Sequence, residues 1–299
     1  MNKTTDLAIE LREEKMSGVA ERDRGETDGV ECRDEQDGDV SINIIDITGK
    51  EGEMKLGRPM GRYVTVSFGD ISSVGFDGYA HICRVLSKQI TSLSERVKKD
   101  ASSVLVCGLG NESFSADAVG VICVKHTLIT RHIKVNSPET FVAAGFFDLC
   151  AFTPGVVAQT GLETLSLVKG AVETARPDIL IVVDSLAAKS AERLACTVQM
   201  TDTGICPGSG IGNHRAAINA ETTGVPTIAV GVPMVIDSGT LITDALSAAG
   251  AKIPDQLPPS MFVCPKDVDT RAELVGSLIG YAINLSFHKS IPIPEMMMM

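Results

Sequence analysis

Residues Val104–Val121 read VLVCGLGNESFSADAVGV. An unbroken apolar run gives way to a glycine turn, and the turn to small and apolar residues that open a helix. A continuous apolar run predicts a strand covered on both faces, as in a parallel sheet flanked by helices. The pattern predicts a strand over 103–107 and a helix from Asp117 to Arg131. A strand, glycine turn and helix in this order either hold an anion at the helix N-terminus or place the carboxylate of Asp117.

The anion reading fits poorly. A dinucleotide fingerprint needs G-x-G-x-x-G and an acidic residue about 20 positions further on. Gly108 and Gly110 fit, but the third glycine position is Ser113, and HTLITRHIKVNSP follows where an acidic strand end is required. The G-x-x-x-x-G-K-[ST] loop is absent. A nucleotide-binding protein without enzymatic activity is therefore the weaker reading of this loop.

A second apolar run, DILIVVD over 178–184, ends in Asp184. Asp117 and Asp184 thus both follow the carboxyl ends of strands expected to be parallel, where open α/β sheets place their ligands. Each is either a cap or turn residue, which aspartate favours, or half of a carboxylate pair. Two carboxylates on neighbouring strands either divide acid and base roles or hold a metal through oxygen.

The remaining pattern alternates. Strands are predicted over 40–47, 62–68, 196–200 and 225–236, with Pro233 expected to take the end of the last one out of the ladder. Helices are predicted over 79–99 and 162–176, and within GTLITDALSAAG and RAELVGSLIGYAINLSFH. The fold class is α/β: a mostly parallel, twisted sheet flanked by helices, hydrolase-like, with extra N-terminal strands. One α/β domain is expected over 40–290, preceded by a charged, solvated arm over 7–39 and followed by a low-complexity tail, 291–299.

Composition narrows the function. The 299 residues are 44% hydrophobic, 22% charged and 4% aromatic, with no Trp, which implies an aliphatic core. The net charge of -11 and the lack of a basic stripe argue against direct nucleic-acid binding and suit a basic protein partner. No run of about 18 apolar residues predicts a membrane span, and the first residues lack a signal peptide's apolar region. The eight cysteines form no CxxC pair, which fits reduced thiols in a cytoplasmic setting better than disulfides or zinc.

Other motifs are weaker. The run DTGICPGSGIGNHR (202–215) holds one DTG, whereas a two-loop aspartic protease needs two. Its glycines Gly208, Gly210 and Gly212, with His214, read as a flexible or substrate-facing loop. His81, His126, His132 and His288 lack any local catalytic motif, and no S-x-x-K, G-x-S-x-G or H-E-x-x-H pattern occurs.

Taken together, TDLAIE, GRYVTV, GLGNESFSADAVG, FTPGVVAQTGLET, RPDILIVVDSLAAKSAER, TDTGICPGSGIGNHR and GVPTIAVGVPMVIDS resemble the spore germination protease family from Thr5 to about His288. The resemblance implies an endopeptidase that degrades the small acid-soluble proteins coating spore DNA, and a distant similarity of fold to hydrogenase-maturation endopeptidases. It implies Asp117 and Asp184 as the essential aspartates of an aspartic peptidase. No cofactor is implied, although the maturation enzymes bind metal at the comparable place; a divalent ion here would be held by Asp117 and Asp184. It further implies a homotetrameric zymogen in the cytoplasm of the forespore and spore core. Its propeptide, residues 1–6, would be removed by autocatalytic cleavage of the Asp6–Leu7 bond.

Overall fold

The computed structural model describes residues 5–16, 26–27, 29–208, 215–254, 257 and 259–291. Within the charged arm expected over 7–39, the described residues form a helix and two strands. Ala8–Met16 forms helix α1, with Leu7 and Ala8 buried. Strands β1 (Glu26–Thr27) and β2 (Val30–Asp37) then lead through a turn at Gly38 into β3 (Val40–Ile47). Strand β2 hides in the sequence because VECRDEQD is mostly charged. Its charges are answered across the hairpin, where Arg33 pairs with Asp46 at 3.2 Å and Asn43 donates to Asp34 at 2.6 Å. Helix α2 (Lys50–Leu56) and β4 (Gly61–Ser67) complete an antiparallel meander.

The expected alternation follows. Helix α3 (Phe76–Val97) leads to β5 (Ser103–Gly108). A 3-10 turn, Ser115–Asp117, precedes α4 (Val119–Lys125), so the single helix expected over 117–131 is broken. Short helices α5 (Arg131–Asn136) and α6 (Pro138–Ala143) come next, then β6 (Asp148–Phe152), α7 (Val157–Thr160) and α8 (Thr164–Ala175). Strands β7 (Ile179–Ala188) and β8 (Thr197–Thr201) are followed by α9 (Ala220–Thr223) and β9 (Thr227–Asp237). The chain closes with α10 (Ser238–Ala248), β10 (Phe262–Val263) and α11 (Val268–Phe287).

Among the described residues the strands form one sheet in the order β1-β2-β3-β4-β8-β9-β7-β5-β6, with β10 on β9. It is mixed, not mostly parallel: only β6–β5, β5–β7 and β7–β9 run parallel. The meander enters through β8, which joins β4 and β9 antiparallel to both. Pro233 does not end β9 either. It stays in the ladder opposite Leu186, where the register slips by one residue and absorbs its missing N–H.

One face of the sheet packs on α3, α4 and α11, where Leu86, Ile90, Leu278 and Ile283 meet Val106, Ile181, Val183 and Val230. Each such side chain contributes about 1.5–3 kcal/mol on burial, so this face supplies much of the core's stability. On the other face α8 covers Leu105, Leu180 and Val182, while Ala8 and Ile9 lie on Ile45 and Tyr63. Cys83, Cys107 and Cys123 belong to the core, and burial pushes the Cys83 and Cys123 thiols up to about 12. Strand β5 stops at Gly108 and pairs with β7 only as far as Val183. Beyond that point β7 loses this neighbour, and a cleft opens at the carboxyl ends of the parallel strands.

Candidate active site

Asp117 is placed by the turn after β5. Leu109 N–H donates to Val183 O at 2.8 Å, and Asn111 N–H donates to Asp117 O at 2.9 Å, folding the loop back on itself. Gly110 makes this fold possible: its φ is 110°, and a Cβ there would stand 1.8 Å from Asp117 O. The residue at the N-cap of α4 is Ala118, with no side-chain cap, so Asp117 is not the helix cap. Its carboxyl is left to the cleft.

Asp184 lies on β7 one residue past the last pairing with β5, and it is 6% exposed. Its Oδ1 accepts from Ser185 N–H at 2.9 Å. The two aspartates line one cavity of about 320 Å³ together with Asp6, Ser185, Gly208 and Arg215, walled by Leu109, Val156, Leu186 and Val235. Phe114 and Phe262 also line it and are more than half exposed.

Burial raises the Asp117 carboxyl from its ordinary 3.8 to about 6, against the pull of the Asn111 N–H and the Arg215 charge. Asp184 is pushed well above its ordinary value, first by burial and then by the negative charges of Asp117 and Asp6, with Ser185 N–H and Arg215 opposing. Like charges in a dry site cannot both ionise cheaply. The deeper Asp184 therefore holds the proton, and Asp117 ionises first.

The N-terminal segment enters the same cavity. Asp6 N–H donates to Ala187 O at 3.1 Å, and Ala187 N–H donates back to Asp6 Oδ2 at 3.0 Å. Leu7 is fully buried among Leu186, Leu194 and Ile236. Downstream, the Glu10 carboxylate accepts from Lys189 N–H at 2.7 Å, Ser190 N–H at 3.0 Å and the Thr5 hydroxyl. Segment 5–10 is thus tied along the part of β7 that β5 leaves open.

Sequence reasoning singled out Asp117, Asp184, Asp6 and Gly208, and these meet in one cavity. Leu7 lies just beyond it, while Gly210, Gly212 and His214 lie outside the described residues. It missed Arg215, which ended the quoted glycine-rich run, and Ser185, whose buried hydroxyl has no hydrogen-bond partner. Three of the other histidines are occupied elsewhere: His126 faces Glu273 at 3.0 Å, His81 bonds to the Asp37 carbonyl, and His288 is buried and accepts from Phe147 N–H. Among the described residues no three His, Cys, Asp or Glu side chains converge as metal ligands. None of the described helices is long and apolar enough to cross a membrane.

A family model described as germination protease matches residues 6–249. A germination protease from Clostridium tetani is 31% identical over 324 residues, covering 99% of this chain and 98% of its own length. One from Caldanaerobacter subterraneus is 34% identical over 321 residues, covering 98% and 96%. One from Bacillus subtilis is 37% identical over 265 residues, covering 87% and 71%. Among solved structures, a NiFe hydrogenase maturation protease from Thermococcus kodakarensis aligns with 64% of this chain and 97% of its own, at 18% identity and a TM-score of 0.35.

Proposed function

This chain belongs to the germination protease family and is a peptidase, and from that premise we propose that Asp117 and Asp184 activate one water to cleave peptide bonds. The substrates in this reading are the small acid-soluble proteins of the spore, degraded at germination. The chain is made as a zymogen that cleaves its own Asp6–Leu7 bond, assembles as a homotetramer, and works in the cytoplasm of the forespore and spore core. The observation that carries the reading is the pair itself: two carboxyls with raised pKa on one cavity, one of them buried.

The chemistry follows from the two environments. Asp117, ionised above about pH 6, takes a proton from a water whose oxygen bonds to the carbonyl carbon of the cleaved residue. Asp184, still protonated, gives its proton to the leaving nitrogen as the C–N bond breaks. The pair ends with one proton, now on Asp117, and exchange with solvent resets it. Arg215 keeps the anionic member of the pair accessible near neutral pH. Phe114 and Phe262 offer an apolar rim to an incoming chain.

The test is Asp117→Asn and Asp184→Asn against a purified acid-soluble spore protein. Each variant is expected to keep its fold and lose cleavage, and chelator is expected to leave the wild type unchanged. Retained cleavage in either variant would sink the pair. Loss on chelation with rescue by a divalent ion would favour a metal held between Asp117 and Asp184.

A further inference from the structure

Gln199 is out of place in its strand. Its neighbours Val198 and Met200 are wholly buried, and Gln199 is itself 7% exposed. A buried amide left without partners is costly, so its partners identify what the position is for. Both are backbone groups of the N-terminal segment. Gln199 Nε2 donates to the carbonyl oxygen of Asp6 at 3.0 Å, and Ala8 N–H donates to Gln199 Oε1 at 2.6 Å. The side chain grips the peptide on both sides of Leu7.

The sheet register explains the reach. Gln199 on β8 is opposite Gly231 on β9, and Gly231 is opposite Asp184 on β7. Residues in register share a face, so Gln199 and Asp184 stand on one face with two strand spacings, about 10 Å, between them. Gly231 makes room between them for the Leu186 side chain, which a Cβ there would meet at 2.4 Å. Asp6 spans the interval between the two strands, with its N–H on Ala187 of β7 and its carbonyl oxygen on Gln199 of β8. That carbonyl is the one the water attacks if Asp6–Leu7 is the cleaved bond.

We propose that Gln199 is a catalytic clamp for the peptide being cleaved. Its N–H stabilises the carbonyl oxygen as that oxygen takes on negative charge, and no proton moves between them. Its Oε1 holds the N–H of the second residue after the cleaved bond. Both contacts are to backbone, so the clamp accepts a segment of another protein that follows the backbone path of residues 5–8. It also demands a free N–H at that second position, which excludes proline there. The inference rests on the proposed hydrolysis by Asp117 and Asp184.

Two arms test it. In the first, full-length Gln199→Glu and Gln199→Met are followed by intact mass for loss of residues 1–6, beside Asp117→Asn and Asp184→Asn. Both Gln199 variants are expected to fold and to process about 10²–10³-fold more slowly, the loss typical of removing one oxyanion donor. In the second, wild-type protein cleaves a synthetic peptide spanning residues 1–14 and the same peptide N-methylated at Ala8. The methylated peptide is expected to lose about tenfold in kcat/KM, as for one lost hydrogen bond, with no further loss in Gln199→Met. Wild-type processing in both Gln199 variants, with inactive Asn variants, would overturn the clamp and leave the aspartate pair standing. Active Asn variants would sink the pair instead, and the clamp would be judged on its own two arms. If neither Gln199 variant folds, equal cleavage of the two peptides by the wild type overturns the clamp and a tenfold loss upholds it.

Discussion

Asp117→Asn should make the protein more stable, and only above a defined pH. The carboxyl is raised from 3.8 to about 6 because the cleft desolvates it more than Arg215 and the Asn111 N–H compensate. A carboxyl whose folded pKa exceeds its unfolded pKa favours the folded state while it is protonated. That contribution is complete below about pH 4 and is lost as pH rises through about 6. Above that range, ionising Asp117 in the folded chain costs up to about 3 kcal/mol relative to the unfolded chain. Asparagine has nothing to ionise. The variant and the wild type should therefore melt together at pH 4 and diverge between pH 4 and 6. They should stay apart above it, by about 6 °C at most for a chain of this size. Removing the charge also eases ionisation of Asp184, which works in the same direction. Thermal melts at pH 4, 5, 6 and 7.5 read the difference. A gap that is flat with pH, or a variant less stable at pH 7.5, would refute the claim that burial governs this carboxyl.

Two further outcomes follow from the same geometry. Arg215→Ala removes a positive charge that lowers both carboxyls, so the acidic limb of the cleavage pH profile should move upward from about pH 6; an unmoved limb would deny Arg215 that role. Gly110→Ala places a Cβ where Asp117 O stands and forces a φ of 110° on a residue that resists it. It should cut cleavage severely while the circular dichroism of the α/β core is kept, and normal activity would mean that the turn does not seat Asp117.

The sequence revealed the parallel heart of the sheet well. Val104–Cys107 and Ile179–Val183 are unbroken apolar runs, and both prove to be central strands; β7 runs on to Ala188, so Asp184 lies within it and does not end it, and Asp117 follows β5 across a turn. The rest was hidden for identifiable reasons. Strand β2 reads as a solvated arm because its charges find their partners only in the fold: Arg33 and Asp34 across the hairpin on Asp46 and Asn43, and Asp37 on Lys88 of α3. Glu10 reads as exposed because its donors, the Lys189 and Ser190 N–H groups, arrive from far along the chain. The mixed topology depends on β8 running antiparallel between β4 and β9, and nothing local to CTVQM sets that direction. Pro233 stays in the ladder because a register slip accommodates it. Asp117 looks like a cap by position, and only the folded turn shows that its carboxyl faces the cleft. Arg215 and Gln199 carry no local motif; their relevance lies in what the fold brings to them.

The most direct measurement of the central claim, that the aspartate pair activates a water, is a single turnover of self-processing in water enriched in 18O. Cleavage of Asp6–Leu7 within one chain is a single turnover by construction. The account predicts that the released peptide ends at Asp6 and carries one 18O in its new carboxylate, while the protein that begins at Leu7 gains none. A released peptide without label, with the 18O retained on the protein, would mean that an aspartate attacked the carbonyl itself and would contradict the account.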